Sequence, residues 1–489
     1  MNYFVLLQSV MDNLKEKTAK GLFWGVLNNG TTQVLNLVFG IVLGRLLTPA
    51  EYGIVGVLTI FTAIAGCLQA SGFTQGLINL KNPTSRDYNS VFWFNILASL
   101  TLYTILFFSA PLIARYFNQP CLVEVSRVVF LILPISALGI TYNGYMVKNM
   151  MNRELAIIAL CALTISGLCG ITLAFLNFSY WSLVWQQLVY ITMLNIGRYH
   201  YVSWRPSIHV DFTPVRQMFS FCVKLLVTNI INTLNQHLLT FVFGRLFPIH
   251  MVGNYTQANK WNSMAHSTLS GTIGQIAQTV LVSVSDERNR EIRVFRKLMR
   301  FTAFLSFPAM FGLALIAPEF IMLTIGEKWA DCIILLQILC IGGAFQPFHV
   351  LYQNLTISNG KSNIYMWSNV AQILLQLLAI LLLSSHGITA IVWSYTVISI
   401  VWMGVWHVIC SHLINIQLSD TLKDILPFLS VALCVMAATY FATHAISQPL
   451  VLITIRILIA ALLYGAIMRL AHAKVMDECI QFLLKKKPL

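Results

Sequence analysis

Long apolar runs separated by short polar connectors fill almost the whole chain. A membrane-spanning helix needs about 20 mostly apolar residues. That criterion predicts fourteen helices: 22–44, 52–72, 91–113, 122–143, 155–176 and 179–198, then 217–244, 252–283, 301–325, 331–357, 364–384 and 387–410, and a last pair at 425–446 and 450–470. The connectors are too short to hold a soluble domain. The expected fold class is an all-α polytopic membrane protein of about fourteen transmembrane helices.

A repeat runs through this pattern. The stretch GLFWGVLNNGTTQVLNLVFGIVLGRLLTPAEYG closes at Gly53, and VTNIINTLNQHLLTFVFGRLFPIHMVG closes at Gly253. Set side by side, Gly44, Arg45 and Leu46 fall on Gly244, Arg245 and Leu246, and Gly53 falls on Gly253. Both copies are apolar helices that carry amides: Asn28, Asn29, Gln33 and Asn36 in the first, Asn229, Asn232, Asn235 and Gln236 in the second. The pattern reads as a duplicated bundle whose two lead helices face a shared polar cavity. The domains expected are a six-helix bundle over 1–210, its parallel repeat over 211–413, and an added hairpin with a basic tail over 414–489.

Composition agrees with the class. A hydrophobic fraction of 57%, a charged fraction of 10% and a mean hydropathy of +0.74 exclude a soluble globule. The net charge of +14 does not point to nucleic acid, because the basic residues sit in short loops and not on one continuous face. With the N-terminus taken as cytoplasmic, 23 of the 31 Lys and Arg residues fall in inside segments and 6 near outer ends, so both termini are expected in the cytoplasm. The ten cysteines show no CxxC or Cys/His cluster, and no metal, disulfide or cofactor is expected. Lys15, Lys17 and Lys20 precede an apolar run too long and too polar for a signal-peptide core, so the first helix is expected to stay in the mature protein. Between the eighth and ninth helices, Ser285–Arg300 places Ile292, Phe295, Leu298 and Met299 on one side among basic residues. It reads either as an interfacial helix on anionic lipid or as an extension of the ninth helix.

Candidate chemistry lies in the polar residues that enter apolar helices. Carboxylates are expected in loops, as with Asp87, Asp211, Asp286, Glu287, Asp420 and Asp424, or near helix ends, as with Glu51, Glu124, Glu154 and Glu319. No buried carboxylate is evident, which argues against hydrolysis in the membrane and against simple carboxylate-based cation coupling. On the seventh helix Lys224, Thr228, Asn232 and Gln236 or Asn235 recur every three to four residues and share a face, with His237 at its edge. The eighth carries Asn254, Gln257, Asn259, Lys260, Asn262 and His266, and the first a stripe of Asn29, Gln33 and Asn36. A charge at the bilayer centre costs roughly 2.5–3.5 kcal/mol on insertion scales, so Lys224 and Lys260 either face a polar cavity or snorkel to the headgroups. The amides either line that cavity or link helices. Arg45 and Arg245 end corresponding helices, where they can attract an anion or act in topology and capping. Tyr52, Trp93, Tyr255 and Trp261 suit sugar stacking or a membrane-interface belt.

Several segments carry a family resemblance: GRLLTPAEYGIVGV at 44–57, GFTQGLINLKNPTSRDYNSVFWFNI at 72–96, APLIARYF at 110–117, SYWSLVWQQL at 179–188, WRPSIHVD at 204–211, FGRLFPIHMVGNYTQANKW at 243–261 and APEFIMLTIGEKW at 317–329. They resemble the Wzx-type polysaccharide and lipid-linked oligosaccharide flippases, in the colanic acid and lipopolysaccharide exporter branch of the multidrug/oligosaccharidyl-lipid/polysaccharide superfamily. The resemblance implies two six-helix bundles about a pseudo-twofold axis, a central cavity and alternating access. The activity implied is movement of an undecaprenyl-diphosphate-linked sugar unit across the bacterial inner membrane for O-antigen, capsule or exopolysaccharide synthesis, with cationic cavity residues, here Lys224 and Lys260, holding the diphosphate. The partners expected are that glycolipid, membrane lipids and a polysaccharide polymerase. A drug or metabolite exporter of the same superfamily is the alternative. A membrane polymerase or glycosyltransferase would need a large outer loop or a nucleotide-sugar domain that the sequence lacks. A scaffold without transport would tolerate loss of every polar cavity residue.

Overall fold

The computed structural model describes residues 29–70, 76–78, 80, 82–208, 211–284, 287–471, 473 and 475–476. The first seven residues of the first expected helix, the lysines before it and those of the tail lie outside them. The described regular structure is helical: α1 (29–46), α2 (Pro49–Gly56), α3 (Thr59–Ala70), α4 (Ser85–Phe117), α5 (Leu122–Val129), α6 (Ile132–Lys148), α7 (Asn152–Phe175), α8 (Trp181–Tyr201) and α9 (Thr213–Leu246). Then come α10 (Ile249–Val284), α11 (Arg288–Thr324), α12 (Ala330–Gly343), α13 (Gln346–Ser358), α14 (Ser362–Leu383), α15 (Ile388–Ile414), α16 (Leu418–Thr443) and α17 (Pro449–Leu470). Ten of the described spans are long and apolar enough to cross a membrane. The chain is an all-helical polytopic membrane protein.

Three expected spans are bent where one helix was predicted. The second divides into α2 and α3, the fourth into α5 and α6 at Phe130–Leu131, and the tenth into α12 and α13 at Ala344–Phe345. A break inside an apolar helix frees backbone groups that must find partners within the protein. At the tenth span the Ser306 hydroxyl of α11 donates to the Ala344 carbonyl at 2.7 Å, and the Phe348 N–H reaches the Phe345 carbonyl at 3.1 Å.

The basic segment before the ninth span is the first part of α11, which runs unbroken from Arg288. Of the two readings, helix extension is the one observed. Its apolar side is covered by protein: Phe295 and Met299 are buried, and Phe295 lies 5.4 Å from the Tyr352 ring. At 37 residues α11 spans about 55 Å, well beyond a hydrocarbon core of about 30 Å, so its charges lie past the apolar layer.

Those charges correct the expectation that the chain buries no carboxylate. Asp424, placed in a loop by sequence, lies inside α16, where its buried carboxylate accepts from Arg296 Nε at 2.7 Å and lies 3.7 Å from Arg300 Nε. Glu291 is fully buried, and its Oε1 accepts from Asn359 Nδ2 at 2.7 Å. Glu319 pairs at 2.7 Å with Arg456, a residue expected near an outer end but buried in α17, where its Nε also donates to Thr443 Oγ1 at 3.2 Å. Hydropathy marks such residues as boundaries. Opposite charges on neighbouring helices instead compensate one another and let the helices pack past the apolar limit.

The chain divides into two compact units, Met1–Gly253 and Asn254–Leu489. In the first, α7 packs along α8, α6 lies against α4 and α8, and α9 lies against α3 and α4. In the second, α11 is the hub, touching α12, α13, α16 and α17. The first unit takes in α9, which packs on its helices.

Two features hold α9 there. The segment before it is strapped across the start of α4. The Trp204 ring sits 5.9 Å from Tyr88, 5.9 Å from Phe92 and 5.6 Å from Tyr142, and its Nε1 donates to Ser85 Oγ at 3.1 Å. Trp93 Nε1 donates to the Ser207 carbonyl at 2.7 Å, and Asp211 is ion-paired with Arg86. At the other end of α9, the repeat-related glycines meet. A Cβ on Gly53 would lie 2.1 Å from the Ile249 carbonyl oxygen, and one on Gly253 only 1.7 Å from the Pro49 carbonyl oxygen. The contact is reciprocal, and both members carry the 200-position offset seen in the sequence: 49 with 249, 53 with 253. Only glycine permits that approach.

Gly253→Ala should therefore lower stability by about 1–3 kcal/mol, as overpacking does. Gly404→Ala, where a Cβ meets nothing within 4 Å inside α15, should be neutral or gain up to about 1 kcal/mol. Thermal melts of the two purified variants check the contrast.

Asp211 supplies a pH test. Its carboxyl is held down at about 2 by the Thr213 backbone N–H, then by the Thr213 hydroxyl and the Arg86 guanidinium. A depressed folded-state value means the stabilisation is fully present above about pH 4 and is lost as pH falls towards about 2. The melting difference between wild type and Asp211→Asn should be constant near neutrality and vanish over that acid window.

Candidate functional site

Four polar residues of α9, Asn229, Thr233, Gln236 and His237, are spaced at i, i+4, i+7 and i+8. That spacing puts them on one helix face. Opposite lies α3, whose Ala63, Gly66 and Cys67 recur at i, i+3 and i+4. Small side chains on α3 leave room, and the seven residues line a cavity of about 310 Å³ inside the first unit. A Cβ on Gly66 would meet nothing within 4 Å, as expected of a residue on an open wall. The lining set lies in the middle of α9, a helix of 34 residues.

Hydrogen bonds fix its walls. Cys67 Sγ lies 3.0 Å from Thr233 Oγ1 and its thiol reaches the Asn229 carbonyl at 3.9 Å, stitching α3 to α9. Thr59 Oγ1 donates to the Gly56 carbonyl at 2.7 Å and lies 3.5 Å from His237 Nδ1. A hydroxyl has one hydrogen, so towards the ring Thr59 is an acceptor and Nδ1 carries the proton. In the neutral imidazole, Nε2 is then left as an acceptor. None of the seven lining residues is Lys, Arg, Asp or Glu. The cavity offers amide donors and acceptors, hydroxyl, thiol and imidazole, a set suited to an uncharged, hydroxyl-rich group.

The residues singled out by sequence fall in several places. Gln236 lines the cavity. Asn232 is half-buried one position round the helix and is not among the lining residues. The cavity-facing stripe is thus 229/233/236/237, about one residue's rotation from the stripe expected. The side chain of Lys224 lies outside the described residues. On α1, Asn29 is exposed while Gln33 and Asn36 are half-buried. Arg45 is exposed, and Arg245 donates from Nη1 to the Tyr116 carbonyl at 2.7 Å with its guanidinium 5.4 Å from the Tyr116 ring.

The second unit holds the others. Asn254 and Gln257 are buried on α10, and both amide atoms of Gln257 lack a hydrogen-bond partner among the described residues. Lys260 is half-buried, with its ammonium 5.7 Å from the Trp261 ring, which packs edge-on against Phe320 at 5.3 Å. Sequence reasoning passed over Cys67, Thr233 and the tautomer of His237. The four-residue step from Asn229 through Thr233 to His237 was available as a signal, whereas a thiol in an apolar helix looks like packing.

Fold and cavity together define a polytopic helical membrane protein with a polar cavity between its helices that no described Lys, Arg, Asp or Glu lines. The polysaccharide biosynthesis protein family matches residues 42–334, and the chain belongs to that family. It is 24% identical over 376 residues to the lipopolysaccharide biosynthesis protein WzxC of Escherichia coli (strain K12), covering 76% of each chain. It is 21% identical over 426 residues to the teichuronic acid biosynthesis protein TuaB of Bacillus subtilis (strain 168), covering 86% of this chain and 88% of that one. Among solved structures it resembles the lipid II flippase MurJ in its inward closed conformation, with a TM-score of 0.74 and 12% identity over 92% of this chain and 99% of that one. An inward-facing multidrug resistance MATE family transporter of the MOP superfamily matches at a TM-score of 0.65 and 15% identity, over 78% and 94%. The structural likenesses are of fold. The Wzx-type resemblance read from the sequence is borne out.

If the cavity is open to small polar molecules, a variant retaining Cys67 as its only cysteine should react with a small methanethiosulfonate reagent. Gln236→Trp should slow that reaction several-fold. Equal rates in the two proteins would mean that Gln236 does not border the path to the thiol.

Proposed function

We propose that the protein is a flippase that moves undecaprenyl-diphosphate-linked oligosaccharide units across the bacterial inner membrane for surface polysaccharide synthesis. The observation that carries this reading is the mid-helix cavity between α3 and α9, which presents amide, hydroxyl and imidazole groups but no described charge. Sugars bond well to such groups, and a cavity of about 310 Å³ holds part of an oligosaccharide. It belongs to a chain whose relatives bear the names of polysaccharide biosynthesis proteins.

In this reading the sugar unit bonds to Asn229, Thr233, Gln236 and His237; Asn232 and the α1 stripe of Asn29, Gln33 and Asn36 are further sugar contacts in the first unit, and Asn254 and Gln257 are sugar contacts in the second. Lys224 and Lys260 meet the diphosphate, Arg45 and Arg245 draw the anion towards one end, and the prenyl tail stays in the bilayer. The site opens in turn to the two membrane faces. No bond is made or broken. Both termini lie in the cytoplasm, each lead helix opens a six-helix repeat, and a polysaccharide polymerase takes up the delivered unit. The drug-exporter alternative is not favoured, since an organic cation wants a carboxylate and none lines the cavity among the described residues.

Leaflet exposure of a diphosphate-linked prenyl oligosaccharide in proteoliposomes tests the proposal, with a fluorescent cationic drug run in parallel. The glycolipid should move and the drug should not. Gly66→Phe, which fills the cavity from its open wall, should abolish movement while melting close to wild type. Lys260→Ala should depress movement without loss of expression. Drug movement alone would assign the chain to the exporter class.

A further inference from the structure

The starts of α4 and α9 are tied together by the Arg86–Asp211 ion pair. Just beyond it the two helices border a groove of about 610 Å³ in the first unit. The α4 wall is Phe94, Leu97, Ala98 and Thr101, at i, i+3, i+4 and i+7, one face about 10 Å long. The Thr101 hydroxyl is turned back onto the Leu97 carbonyl at 2.8 Å, so its one donor is spent within its own helix. The α9 side adds Phe212, Val215 and Arg216.

Arg216 is the one charged residue among the described residues that line the groove. It is exposed, in the first turn of α9, and pairs with no described carboxylate. Asp211, the nearest acid in sequence, is already taken by Arg86 and by the Thr213 N–H at 2.9 Å. Val215 shares a buried cluster with Tyr88 and Val91, against which Phe94 packs, so Arg216 lies near the Phe94 end of that face and Thr101 lies about two turns further along α4. A cation at the mouth and an apolar trough running deeper into the bilayer match an anionic head on an apolar chain.

The geometry points to a binding site for one anionic phospholipid, its phosphate on Arg216 and an acyl chain along the 94–101 face of α4. The positive-inside pattern puts that headgroup in the cytoplasmic leaflet, where anionic lipids are enriched. The lipid fixes the start of the same helix that carries Asn229 to His237. The inference does not depend on the transported substrate.

Native mass spectrometry of protein exchanged into nanodiscs of equal phosphatidylglycerol and phosphatidylcholine tests it. Wild type should retain phosphatidylglycerol in preference, and Arg216→Gln should lose about fivefold of that preference, the value of one cation at a lipid surface. Arg216→Lys should keep most of it, because a point charge still serves a phosphate. Ala98→Trp, which fills the trough and leaves the charge, should lose the retained lipid altogether. Unchanged retention in Arg216→Gln or in Ala98→Trp overturns the site. Displacement of phosphatidylglycerol by excess undecaprenyl diphosphate overturns the occupant, since the groove would then be a seat for the carrier lipid.

Discussion

The approach of Gly53 and Gly253 to each other's helix start is the constraint on which the first unit depends. Two helix beginnings cross with main chain against main chain, at separations that leave no space for one methyl group on either side. Because each glycine meets the residue four positions before its counterpart, the contact obeys the internal duplication locally. It joins the end of α9 to α2, while Trp204 and the Arg86–Asp211 pair join the beginning of α9 to α4. Held at both ends, α9 can set four of its polar side chains against the small face of α3.

That arrangement explains how polar groups persist inside the membrane. Unpaired polar groups in hydrocarbon are costly, and here the thiol, hydroxyls and imidazole bond one another or the backbone: Cys67 with Thr233, His237 with Thr59, Thr59 with the Gly56 carbonyl. The bonds also fix direction. A His237 ring with its Nδ1 proton committed keeps a defined acceptor that a ligand hydroxyl can use. The second unit uses charge for a different end. Arg456 with Glu319, and Arg296 and Arg300 with Asp424, bind α16 and α17 to α11 as compensated pairs.

Much of this was legible in the chain. Helix positions follow from apolar length alone, and the 200-position offset of the glycine-bearing segments anticipated their equivalence. The face of α9 was less legible: amides at 229, 232, 235 and 236 give two overlapping stripes, and only packing against Gly66 and Cys67 decides between them. The charges of α11 and α16 were misplaced because hydropathy marks the boundary of an apolar layer, whereas ion pairs between neighbouring helices carry regular structure beyond it. Trp204 was visible only as part of a family-like motif. Its work, closing an aromatic cluster formed by α4 and α6, needs residues more than fifty positions away.

The measurement that bears most directly on the flippase reading is site-specific photo-crosslinking in native membranes. A benzophenone side chain at Gln236, in the cavity, is compared with one at Leu374, which faces outward on α14. The account predicts that Gln236 yields an adduct containing the lipid-linked oligosaccharide and that Leu374 yields only bulk phospholipid. Equal glycolipid labelling at both positions, or none at Gln236 in a well-expressed and active protein, would contradict it.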